Sequence, residues 1–188
     1  LAQSFADIAL KSLPETKEEL LALPYDDALT IAQKVEEQTG VVGEKLELTD
    51  YAKIVTTAGE GQILPYIHMG YRAGVVVALN KEGAQYEEAG KNVAMQVAAM
   101  NPIAVDKDGV AQDVVDKEIE IGMEIARKEG KPEEMLERIA TGKLNKYFKE
   151  NTLLNQAYVK ENKQSVSAYL QGIDPELTVT DFKHIKLG

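Results

Sequence analysis

The chain is 188 residues long, with 31 acidic against 21 basic residues and a formal net charge of −10. That balance disfavours a general grip on nucleic acid or on an anionic membrane, and 6% aromatic residues without Trp leave few platforms for base stacking. Cysteine is absent and His68 and His184 are the only histidines, which excludes disulfides, thiolate catalysis and Cys-based zinc sites.

Ala2, Phe5, Ala6, Ala9 and Leu13 recur at steps of three and four, one stripe of an amphipathic helix that Pro14 stops. Thr16 with Glu19 has the form of a capping box and predicts a short helix closed by Pro24. Ala28, Ile31, Ala32 and Val35 mark a third helix, with Gly40 expected as its left-handed C-terminal cap. At Gly43 the period falls to two. Leu46, Leu48, Ala52 and Ile54 alternate with Lys45, Glu47, Tyr51 and Lys53, which predicts a strand with one buried face.

Gly59-Glu60-Gly61 reads as a turn. Ile63 to Met69 is a second strand whose Pro65 asks for an edge position, and Ala73 to Leu79 is a continuous apolar strand expected at the sheet centre. Ala84 to Met100 is helical, with Tyr86, Gly90, Val93 and Val97 on one face and small residues that permit close backbone approach. Val110 to Glu129 is the strongest helix, with Val115, Ile119, Met123 and Ala126 along one side. Gly130-Lys131-Pro132 stops it and starts the next, predicting a helical hairpin over about residues 110–152. A short helix from Ser165 to Leu170 and a strand from Leu177 to Leu187 complete the chain. The sum is α+β, with a small antiparallel sheet and a helical hairpin inserted before the last strand. Two subdomains, 1–58 and 59–188, are expected.

Recognisable catalytic and nucleotide motifs are missing. Asn80-Lys81-Glu82-Gly83 begins like a guanine-reading loop, but Gly83 stands where the base-holding Asp belongs, and no phosphate-cradling loop occurs. Asp106-Lys107-Asp108-Gly109 starts like a calcium loop, yet Lys117 takes the place of the bidentate Glu; it reads as a turn whose Asp108 starts the following helix. No stretch approaches the ~20 apolar residues of a membrane span, and no signal peptide pattern is visible. The chain opens at Leu1 inside a helical pattern. A cytoplasmic protein whose natural start lies upstream is therefore expected. His68 stands at a strand end beside a bend, as a solvent-tipped strand residue or as a partner contact. His184, beside apolar Ile185, reads as exposed.

Four separated motifs carry a family resemblance. Tyr66-Ile67-His68-Met69-Gly70-Tyr71-Arg72-Ala73-Gly74-Val75-Val76-Val77 resembles the Tyr-Ile-His-Gly-Gly-Gly-Arg-Ile-Gly-Val-Leu-Val segment of bacterial elongation factor Ts. Ala94-Met95-Gln96-Val97-Ala98-Ala99-Met100-Asn101-Pro102 is similar to that family's Ala-Met-His-Val-Ala-Ala-x-x-Pro helix end. Lys128-Glu129-Gly130-Lys131-Pro132 with Lys143-Leu144-Asn145-Lys146-Tyr147 resembles the turn and following run of its coiled coil. Gly43-Glu44-Lys45-Leu46-Glu47-Leu48 matches the beginning of a family strand.

The resemblance, collinear from Leu29 to Leu170, implies a guanine-nucleotide exchange factor for elongation factor Tu. In that family two α+β core subdomains embrace the GTPase, a coiled coil projects from the second, and the factor itself carries no nucleotide or other cofactor. The partner would be a protein, with no direct nucleic acid and no membrane, and a homodimer is left open. His68 matches the histidine that contacts the GTPase, with Met69 and Gly70 beside it and Leu46 as a weaker contact.

The departures define further expectations. A small N-terminal three-helix domain, a Thr-Asp-Phe-Val-Ala motif whose Phe acts as a wedge, and two strands pairing with Leu46–Ile54 would all lie before Leu1. On that basis the chain would bind elongation factor Tu with impaired exchange. Met69 and Tyr71 replace glycines of the family loop, so its backbone is expected to differ, and Gln96 replaces a common His. The alternative function is a helical scaffold or oligomerisation module built on residues 110–152.

Overall fold

A computed structural model describes residues 1–187, which fall into two compact units, 1–55 and 56–187. The first unit holds α1 (Ala2–Ser12), α2 (Lys17–Ala22) and α3 (Ile31–Val42). Their apolar stripes meet in a small core of Phe5, Ala9, Leu20 and Ile31. Thr16 caps α2 by accepting from the Glu19 N–H at 3.1 Å, and the Glu19 carboxylate reaches back to the Glu15 N–H at 2.7 Å. Thr30 and Gln33 form a complete capping box on α3.

Two expectations fail in this unit. Gly40 lies inside α3, and the left-handed cap is Gly43, with φ 77°. Residues 45–54 make no strand. An extended segment becomes a strand only by pairing its backbone, and here the segment bonds otherwise. The Leu46 N–H donates to Thr39 Oγ1 at 3.0 Å and the Tyr51 hydroxyl donates to the Pro14 carbonyl at 2.8 Å. Leu48 and Tyr51, not Ala52, pack against the helical core.

The second unit is built on an antiparallel sheet ordered β1-β2-β5, from β1 (Gln62–Ile67), β2 (Ala73–Leu79) and β5 (Val179–Lys186). Pro65 sits in an edge strand, where the ladder N–H it lacks costs least. Helix α4 (Glu87–Met100) covers one face, burying Ala89, Val93 and Val97 against Leu64, Val75, Val77 and Leu79. The approach is close because Gly90 has no Cβ: one placed there would fall 1.9 Å from Leu64 Cδ1.

β5 carries a bulge. Leu79 pairs with Val179 but Ala78 pairs with Asp181, leaving Thr180 as the extra residue. The bulge reverses the alternation beyond it. Phe182 and His184 therefore align with Val77 and Val75 on the core face, and His184 is half-buried, contrary to the expectation of exposure. Ahead of the bulge, Lys81 binds the Asp174 carboxylate at 2.8 Å, and the Tyr86 hydroxyl donates to the same group at 2.7 Å. These bonds, with the Glu176 N–H, hold the Asp174 carboxyl down to about 2.

Between β2 and β5 lie α5 (Gln112–Lys128) and α6 (Glu133–Asn151). Arg127 pairs with Glu133, Gly122 faces Ala140, and Val115 shares a groove with Phe148, so the two helices run antiparallel. Asp108 does not start α5. Asp106 caps a short 3-10 turn instead, while Ala111 precedes α5 without a side-chain cap. The stem of the pair is closed by backbone bonds from Leu153 N–H to Ala104 O and from Leu154 N–H to Val105 O, each 2.9 Å.

A small hairpin of β3 (Ala157–Tyr158) and β4 (Glu161–Ser165), unanticipated from the sequence, leads into α7 (Val166–Ile173). Gln96, fully buried on α4, clamps it. Its amide donates to the Ala157 carbonyl at 3.1 Å and accepts from the Val159 N–H at 2.8 Å. Tyr158 and Tyr169 stack with ring centroids 4.2 Å apart.

Candidate functional site

The β1–β2 connection is a five-residue loop, His68 to Arg72, held almost entirely by its own backbone. The His68 N–H donates to the Ala73 carbonyl at 2.9 Å, and the His68 carbonyl accepts from the Tyr71 N–H at 3.1 Å. Gly70 takes φ 81° and Tyr71 φ 57°, so two successive residues occupy the left-handed region. Glycine does so freely; a tyrosine there is strained by about 1 kcal/mol. The end of β5 braces the loop, the Leu187 N–H donating to the Arg72 carbonyl at 2.8 Å.

The result is a rigid rim with exposed side chains. His68 and Arg72 are exposed, flanked by Ile67 at 61%, Tyr71 at 81% and Leu187 at 66% exposure. A loop fixed by main-chain bonds loses little freedom when something docks on it, which favours a contact role over a folding role. Among the described residues the His68 ring has one hydrogen-bond partner: its Nδ1 lies 3.2 Å from the Tyr66 hydroxyl, and the rings tilt at 55°. Sequence reasoning missed Tyr66, although its place two residues before His68 puts both on one strand face.

Of the expected contact residues, His68 and Gly70 share this loop. Met69 opens its 3-10 turn, and its side chain lies outside the described residues. Leu46 belongs to the other unit, where it is half-buried after α3. The strongly depressed Asp174 carboxyl is committed to Lys81, Tyr86 and the Glu176 N–H, so its shift reports a structural tie and not a reactive group. Among the described residues no group of three or more His, Asp or Glu side chains could hold a metal ion, and no helix is long and apolar enough to cross a membrane.

Fold and site together define an α+β protein with a backbone-bonded loop at the β1–β2 end whose side chains are exposed. The family model described as elongation factor TS matches residues 1–188. The chain is 50% identical to an elongation factor Ts from Cytophaga hutchinsonii over 189 residues, covering all of this chain and 66% of the relative. Elongation factors Ts from Flavobacterium psychrophilum and Christiangramia forsetii are 47% and 45% identical, again over 100% of this chain and 66% of their own length. The chain belongs to the elongation factor Ts family, and it spans just under two thirds of the length of these curated relatives.

Proposed function

We propose that this chain docks onto the GTPase elongation factor Tu and promotes release of its GDP. It acts in the cytoplasm as a nucleotide exchange factor and transforms no substrate of its own. Membership of the family supports the class of function, and the preorganised His68 loop is the observation that carries the docking. Exchange is a coupling between two ligands of the GTPase: the factor weakens GDP by the same ratio that GDP weakens the factor. His68, with Met69 and Gly70 in its loop, supplies the contact in the second unit, and Leu46 a weaker one in the first.

Stopped-flow release of fluorescent GDP from elongation factor Tu tests this reading. The chain should accelerate release, and His68→Ala should weaken partner binding about tenfold, the range of a moderate interface hot spot, with unchanged circular dichroism. An unaltered affinity removes His68 from the interface. The exposed Ile121, Ile125 and Met135 on α5 and α6 favour a second reading, a helical scaffold or oligomerisation module. Trimming the tip of the helix pair separates the two: oligomeric state changes under the second reading, and GDP release under the first.

A further inference from the structure

We propose that Tyr66 is a positioning residue that sets the tautomer of His68, so that the group recognised by this histidine is an oxygen acceptor, a main-chain carbonyl or a carboxylate, and not an N–H donor. The recognition half rests on the reading of His68 as a partner contact.

The argument begins at the strand. Residues 66 and 68 lie on the same face of β1 and its continuation. Tyr66 is half-buried and packed against the hydrophobic core of the second unit, so its ring is held by the fold. Its hydroxyl reaches outward to His68 Nδ1 at 3.2 Å. A phenol is a good donor and a poor acceptor, because its oxygen lone pair is delocalised into the ring. A neutral imidazole offers one bare nitrogen and one N–H. The matched arrangement has the Tyr66 O–H donating to a bare Nδ1, with the proton on Nε2.

Nε2 sits on the opposite edge of an exposed ring. The loop's backbone bonds fix where that edge points from, and Tyr66 fixes what it carries. His68 therefore presents a single directed donor. Its partner needs an oxygen at hydrogen-bond distance, and a donor group in that place would meet an N–H.

Ring-nitrogen NMR of the ¹⁵N-labelled whole chain, at about pH 8 to keep imidazoles neutral, reads the tautomer directly. The wild type should show protonated Nε2 and bare Nδ1, and Tyr66→Phe should show a mixture. A proton on Nδ1 in the wild type, or a spectrum unchanged by Tyr66→Phe, overturns the positioning role. With elongation factor Tu added, the Nε2 proton should remain and exchange more slowly; a bare Nε2 in the complex overturns the acceptor assignment.

Tyr66→Phe should weaken partner binding about three- to tenfold, and have no further effect in a His68→Ala background. Equal losses in both backgrounds give Tyr66 a merely structural role and overturn the proposal. If His68→Ala alone leaves affinity unchanged, the contact reading and the recognition half fall together. The free-protein spectrum then decides the tautomer by itself.

Discussion

His184 Nε2 is sealed from solvent and has no hydrogen-bond partner. Burial, with a smaller contribution from Lys186, pushes its imidazole below the ordinary value of 6.5. A folded chain that resists a proton the unfolded chain accepts loses stability as pH falls. The contribution is intact above about pH 6.5, the unfolded value, and declines as pH drops toward the lowered folded value. Urea midpoints followed downward from about pH 7.5 should fall for the wild type and stay flatter for His184→Leu. Parallel profiles would remove His184 as the cause. The position was illegible in the sequence for a definite reason: alternation counted from buried Val179 sends His184 outward, and only the unpaired Thr180 turns it back in.

Among the elements, α4 and β1 meet at the point of least tolerance. A methyl group on Gly90 would collide with Leu64, itself 5% exposed and in the core. Gly90→Ala should lower unfolding free energy by about 1–3 kcal/mol through overpacking, although alanine is the better helix former. Chemical denaturation measures it, and a neutral or stabilised variant would show that the interface yields. Gly90 was legible as a close-approach residue because it falls on the apolar face of a strongly periodic helix. The other helices and the central strand were legible on similar grounds, periodicity for the former and an unbroken apolar run for the latter. The β3–β4 hairpin was not, since Glu161 to Ser165 is polar throughout and Val159-Lys160 is not a turn signature. Residues 45–54 show the opposite error, a clear alternation whose backbone finds other partners. At the site, motif similarity led to His68 and its strand-end position; Tyr66 became visible only with the strand face.

Over the whole molecule, the two units differ greatly in what holds them. Among the described residues, the second has a core cluster of fifteen buried residues and the first one of four. Burial of apolar surface is the main stabilising term, and very small domains are marginal. A chain cut to residues 56–188 should therefore unfold cooperatively with the far-UV spectrum of an α+β protein, while residues 1–55 alone should be weakly folded. A molten 56–188 would mean that the larger core is not self-sufficient.

The stem of α5 and α6 has a further consequence. Ala104 and Val105 accept directly from Leu153 and Leu154, so the two ends of the helix pair meet at nearly the same place within the second unit. Forty-odd residues are thus carried between two adjacent strands of backbone, a detour rather than a span. Such an arm can change length without altering the path of the chain around the sheet.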